Sequence, residues 1–213
     1  MQQKGGDQLG YSTYSPTKKL KYLSLSEFDE LIDAIQKHDL SSRFQKRNLT
    51  IFLLAKYCAL RVSEIGLIEF SDYNISDKTI FCRRLKGSVS NQLKIVDPLV
   101  SRMMDYFFMQ RSSNPNHGKY IFASKTEKPI DRRTLDELMK YYCSFTSIPR
   151  DKWHFHALKH TRAMELMETD GFDVRDVQWW LGHKYIANTM IYLNYSIQAQ
   201  KSLYTKLVNS MKR

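Results

Sequence analysis

Residues 156–192 read HALKHTRAMELMETDGFDVRDVQWWLGHKYIANTMIY, and the rest of the chain is understood outward from this stretch. Apolar residues recur at helical spacing between polar breaks, which predicts helices over 155–170, 173–180 and 186–193. On the first, His156 and Lys159 stand at i and i+3 and share a face. Gly182 permits a tight turn that presents His183 from the loop between the second and third helices. Tyr192 follows Asn188-Thr-Met-Ile191 on the third.

Upstream, Ser24-Leu-Ser-Glu27 is a capping box, and Phe28, Leu31, Ile32 and Ile35 follow at helical spacing. A second helix carries Leu49, Phe52, Leu53 and Tyr57, and a short third one follows Arg61. Thr79-Ile-Phe-Cys82 and Leu93-Lys-Ile-Val96 are β-prone runs joined by the polar stretch Leu85-Lys-Gly-Ser-Val-Ser-Asn91. Pro98 opens a helix through Met109, because proline suits a first helical turn. Asn114-Pro-Asn-His-Gly118 is a turn before Tyr120-Ile-Phe122, a further helix is predicted over 131–145, and a last one near 197–211. Helices, a small antiparallel β-sheet and helices again make an α+β, mostly helical domain. Residues 1–22 lack periodicity and read as a flexible N-terminal arm or linker, 23–195 as one folded domain, and 196–213 as a C-terminal helical tail.

Lys and Arg number 33 against 22 Asp and Glu, a net charge of +11. Cations that meet phosphates release condensed counterions, so this balance favours a nucleic-acid partner over a merely basic surface. No apolar run approaches the roughly 18 residues a membrane span needs, and the N-terminus lacks the apolar region of a signal peptide. The three cysteines, Cys58, Cys82 and Cys143, form no CxxC pair, which argues against a disulfide framework or a thiolate zinc site. There is no P-loop or GxGxxG fingerprint, and no cofactor is expected.

Cations, hydrogen-bond donors and a phenol suit nucleophilic attack on a phosphodiester. The tyrosine oxygen displaces a deoxyribose oxygen and stores the bond as a phosphotyrosine ester. Cationic donors stabilise charge on the non-bridging oxygens, and a lysine or histidine protonates the leaving oxygen. Two further candidates lie upstream: Arg61 in Ala59-Leu-Arg61-Val-Ser-Glu64, at a helix junction, and Lys86 before Gly87 in the hairpin loop.

At these residues the chain resembles the tyrosine recombinase, or phage integrase, family. That pattern runs Arg in an A-L-R-x-S-E context, a hairpin Lys, H-x-L-R-H-T, L-G-H, and then a Tyr. Arg61 with Ser63-Glu64, Lys86, His156, His160-Thr161, His183 and Tyr192 match it in order, over roughly residues 24–195. The resemblance implies the catalytic-domain fold and a site-specific DNA recombinase of integrase or invertase type, in a prokaryotic cytoplasm or encoded by a phage or plasmid. It assigns Arg61, Lys159 and His183 to the scissile phosphate, Tyr192 to attack giving a 3′-phosphotyrosine, Lys86 to protonating the leaving 5′ oxygen, and His156 to assisting as donor or base. It further implies double-stranded DNA as substrate, a homotetramer on DNA and an accessory directionality factor; the apolar stripe of Ile197, Tyr204, Leu207, Val208 and Met211 in the tail either folds back on its own domain or, as in the resembled family, docks on a neighbouring protomer. Relatives carry an N-terminal DNA-clamping domain; its absence here is expected to mark either a fragment or a short enzyme like the fimbrial invertases, and Met1 favours the latter.

One position departs from the pattern: Lys159 stands where the family has its second arginine. Arginine grips phosphate through a planar fork, whereas lysine offers a point charge. Two alternatives therefore stand beside the recombinase: a recombinase-like DNA-binding protein with weakened or lost chemistry, and a type IB topoisomerase-like enzyme. Individual residues have plainer readings too. Arg61 alone is a helix-end partner of Glu64, and Lys86 competes with Arg83, Arg84 and Lys94. His154, His156 and His160 lack a carboxylate or cysteine at ligand spacing, which speaks against metal, and leaves His160 as a core residue or one that backs the site from behind, and His154 as a helix cap. Tyr185, Tyr195 and Tyr204 rival Tyr192, and Trp179 and Trp180 are divided between the core and an indole donor near the site.

Overall fold

The computed structural model describes residues 20–38, 42–85 and 87–196, together with residues 201, 204, 205, 207, 208, 210 and 211. Helix α1 (Leu25–His38) starts where the capping box places it: the Ser24 N–H donates to Glu27 Oε2 at 2.7 Å and the Glu27 N–H to Ser24 Oγ at 3.2 Å. Its apolar stripe packs on α2 (Ser42–Tyr57) and on α5 (Arg132–Cys143). Short α3 (Val62–Ile65) follows Arg61. Helix α4 (Pro98–Ser112) is capped by Asp97, which accepts from the Leu99 and Val100 N–H groups and stands before the proline. The C-terminal half is α6 (His156–Glu168), α7 (Val174–Leu181) and α8 (Ala187–Leu193).

Between α3 and α4 lies a three-stranded antiparallel sheet of β1 (Tyr73–Asn74), β2 (Thr79–Cys82) and β3 (Asn91–Lys94), in that order. The last strand sits two residues earlier than its β-prone run predicts. Asn91 pairs with Cys82 and Lys94 with Thr79; beyond that the Ile95 N–H donates to the Lys78 carbonyl at 2.7 Å, and the Tyr57 hydroxyl donates to the Lys94 carbonyl and accepts from the Val96 N–H. Strand β1 has too little length for a sequence signal. Nor does His154 cap α6 with its side chain; its main-chain carbonyl accepts the Ala157 N–H at 2.9 Å.

Two apolar cores result. The larger joins α1, α2, α5 and the sheet around Phe52, Phe122, Tyr142 and Phe155. The smaller lies under α6, α7 and α8 and contains Ala59, Met164, Met167, Val177, Leu181 and Tyr192. Leu20 and Leu23 are buried, and the Leu23 N–H donates to Thr161 Oγ1 at 2.9 Å, so the chain is packed from residue 20 onward, inside the expected arm, whose first 19 residues lie outside the described set. In the tail, Tyr204, Leu207, Val208 and Met211 are helical and exposed, while Ile197 lies outside the described residues. Among the described residues, no helix is long and apolar enough to cross a membrane.

The turn that ends α7 fixes how the cores meet. Gly182 takes φ +65°, and a β-carbon there would stand 2.5 Å from the Val89 carbonyl oxygen and 2.9 Å from Arg84 Cγ and Nε. Gly87 has a similar φ of +70° in open space. Gly87→Ala should therefore cost about 1–2 kcal/mol from backbone strain alone. Gly182→Ala should cost a further ~1–3 kcal/mol from overpacking, a difference that parallel denaturant unfolding of the two variants will show.

Candidate active site

Arg61 is launched by an unusual turn. Helix α2 runs out at Cys58, and Ala59 takes the left-handed φ of +51°, a place glycine usually fills. The chain then extends through Arg61, whose N–H donates to Glu64 Oε2 and whose guanidinium donates to Glu64 Oε1, each at 2.8 Å. Glu64 is buried and also accepts the Leu85 N–H at 3.0 Å, at the root of the hairpin loop. Burial alone would raise the Glu64 carboxyl, but these hydrogen bonds hold it below the usual carboxylate range. Arg61 keeps a quarter of its side chain exposed.

Arg84 fastens this corner to the rest. Its side chain is fully buried, 3.5 Å from Glu64 and 3.2 Å from Asn91 Oδ1. It donates to the carbonyls of Ala59 at 3.1 Å, Cys58 at 2.8 Å and Trp180 at 2.9 Å. One guanidinium thus ties the end of α2, the hairpin and the end of α7 together. The signal was available: Ile80, Cys82 and Arg84 alternate onto one face of β2 and its extension, with Phe81 and Arg83 facing out. Arg83 itself forms a bidentate pair with Asp72.

Around this frame opens a cavity of about 850 Å³ lined by Arg61, His156, Lys159, His160, His183 and Tyr192, together with residues of α8. Five of the six candidate residues thus come together; Lys86 lies outside the described residues, with its neighbour Leu85 held by Glu64 and Arg61. Lys159 is 1% exposed, and its ammonium donates to the Ala59 carbonyl at 3.1 Å and the Leu181 carbonyl at 3.0 Å. Burial, followed by the charges of Arg84 and Arg61, lowers its pKa to about 7. His183 has its Nδ1 paired with Thr189 Oγ1 at 2.9 Å, which leaves Nε2 for the cavity. Burial, then Lys159 and Arg61, brings its pKa down to about 3. Desolvation at the cavity wall, then Lys159 and Arg61, also lowers His156.

Tyr192 is 2% exposed, and burial raises its phenol above the ordinary value. Its hydroxyl lies 2.9 Å from His160 Nδ1, so His160 backs the site directly rather than only filling the core. Trp180 is engaged elsewhere, its indole N–H donating to the Tyr57 carbonyl, and Trp179 is exposed. Among the described residues no group of three His, Cys, Asp or Glu side chains is placed to hold a metal. A pocket with one fixed guanidinium, a lysine, three imidazoles and a phenol is built to receive an anion and present an oxygen nucleophile to it.

Comparison with known proteins gives the family. The model of the phage integrase family matches residues 21–198. The chain belongs to this family. Among phage integrase relatives, the tyrosine recombinase XerC of Caldanaerobacter subterraneus is 28% identical over 171 residues, covering 80% of this chain and 46% of that protein. The type 1 fimbriae regulatory protein FimB of Escherichia coli K12 is 25% identical over 175 residues, covering 82% of this chain and 84% of FimB. The crystal structure of XerA recombinase superposes with a TM-score of 0.72 at 25% identity, over 90% of this chain and 66% of that one. XerH bound to a difH substrate in a post-cleavage complex shares the fold, with a TM-score of 0.73 at 18% identity over 88% of this chain and 53% of XerH. The chain spans about half the length of the first curated relatives it matches.

The buried lysine has a measurable consequence. Between pH 7 and its unfolded pKa near ~10.4, the unfolded chain holds a proton on Lys159 that the folded chain lacks, so stability rises with pH across that window. Denaturant unfolding at pH 7 and at about pH 9.5 should show the wild type gaining stability relative to Lys159→Met as pH rises.

Proposed function

We propose that this chain is a site-specific DNA recombinase that cuts and rejoins double-stranded DNA through a 3′-phosphotyrosine on Tyr192. The observation that carries the reading is the single cavity in which Tyr192 meets Arg61, Lys159, His156 and His183. Arg61, Lys159 and His183 hold the non-bridging oxygens of the scissile phosphate, and Tyr192 attacks in line. Lys86, on the loop rooted by Leu85, protonates the leaving 5′ oxygen. The net charge of +11 supplies affinity for the phosphate backbone. XerH captured with its difH substrate after cleavage supports DNA as the partner, and XerC, XerA and FimB support the reaction class.

Two protomers on each of two sites, exchanging strands in pairs, make the working assembly a homotetramer, and an accessory directionality factor completes it. The exposed stripe of Tyr204, Leu207, Val208 and Met211 supports docking of the tail on a neighbouring protomer. A weaker enzyme is favoured by one observation: the Lys159 ammonium is already engaged by two carbonyls, so it meets phosphate only in part.

Nicked suicide duplexes selected from genomic or element-end DNA test the reading. The wild type should form a denaturant-resistant protein–DNA adduct, and Tyr192→Phe should form none. Lys159→Arg should cleave faster, because removal of one preorganised donor costs on the order of 10²–10³ in rate and a fork restores part of that. The wild-type rate should also fall as pH rises through about 7, where Lys159 loses its charge, while the Lys159→Arg rate should not.

A further inference from the structure

One polar contact in the cavity has no part in the roles of Arg61, Lys159, His183 and Lys86. Tyr192 Oη and His160 Nδ1 stand 2.9 Å apart, with ring centroids at 5.8 Å and planes inclined by 56°. A phenol is an O–H donor and a neutral imidazole nitrogen is its acceptor. His160 is set one turn after His156 on α6, and the two rings meet edge-on at 4.4 Å. His156, the other imidazole on this helix, has no hydrogen bond to Tyr192 among the described contacts. Helix α6 packs directly on α8, and Tyr192 belongs to the apolar core between them, so the contact joins two fixed elements.

We propose that His160 is a catalytic residue, which holds the Tyr192 hydroxyl at the phosphate cavity and accepts its proton during attack. This inference rests on Tyr192 as the nucleophile. In the forward step the Tyr192 Oη–phosphorus bond forms as the phosphorus–O5′ bond breaks. The phenolic proton passes to His160 Nδ1, and the leaving 5′ oxygen takes a proton from the acid assigned to Lys86. Rejoining reverses each transfer, so protons balance over the cycle.

The electrostatics tie the transfer to bond formation. At the cavity wall, burial and then His156, His154, Lys159 and His183 favour neutral His160, and burial favours Tyr192 as a phenol although Arg61 favours its anion. Both groups are thus biased toward their neutral forms. An entering phosphate places negative charge among these groups, which favours imidazolium, and the phenolate oxygen forms only as phosphorus takes it up.

The test uses the full chain on the same nicked duplexes, with circular dichroism melts to establish folding, and combines His160 variants with 3-fluorotyrosine at position 192. His160→Ala should slow adduct formation by ~10²–10⁴-fold, the usual worth of general acid–base catalysis. His160→Asn, which keeps an acceptor without the basicity, should be slowed comparably. The more acidic fluorotyrosine should rescue both variants at least about tenfold more than it changes the wild type, since an acidic phenol needs less help from a base. Wild-type rates in either folded variant, or equal effects of fluorotyrosine in all backgrounds, would reduce His160 to a packing residue while leaving Tyr192 as nucleophile. If the wild type forms no Tyr192-dependent adduct, the nucleophile assignment and this inference fall together.

Discussion

A buried ion pair organises this molecule. Arg84 and Glu64 have fully buried side chains, and between them they engage Arg61, Leu85, Asn91 and the carbonyls of Cys58, Ala59 and Trp180. Charge is costly to bury unless every donor and acceptor is satisfied, and here both groups sit in a dense hydrogen-bond network. Losing either partner would leave the other as an isolated buried charge, at a cost of ~3–5 kcal/mol. The network also offsets the left-handed turn at Ala59, whose carbonyl is held at once by Arg84 and Lys159. That turn is what aims Arg61 across the cavity from α8.

The same corner explains the character of Lys159. An arginine at this point would bring a diffuse, permanently charged fork. The lysine brings a compact ammonium that two carbonyls can satisfy and that burial beside Arg84 and Arg61 discharges near neutral pH. The cavity therefore keeps one guanidinium fixed by Glu64 and one titratable cation behind it. Imidazoles complete the lining, each biased against carrying charge by burial and neighbouring cations.

Most of this architecture is legible in the residues themselves. Two helix starts are written in Ser24-Leu-Ser-Glu27 and Pro98, and the fold class follows from the order of helical and strand-like runs. Arg61, His156, Lys159, His183 and Tyr192 are legible as a candidate set because their order and spacing are specific, although no single one is. Three things are harder to read. β1 has two residues, too few to show alternation, and β3 begins at an asparagine because Asn91 serves Trp179 and Arg84 as well as the ladder. Arg84 is hidden among neighbouring cations, with only strand alternation to mark it as inward. His160 reads as core or as a support to the site, but its partner lies 32 residues away, a pairing that only the packing of α6 against α8 creates.

In the proposed reaction the oxygen of Tyr192 takes the DNA phosphate. Mass-spectrometric mapping of the adduct trapped on a nicked duplex tests it most directly, because tryptic cleavage after Lys184 and Lys201 yields one peptide bearing Tyr185, Tyr192 and Tyr195. The account predicts fragment ions that place the nucleotide on Tyr192. A nucleotide on Tyr185 or Tyr195, or on any other peptide, would contradict it.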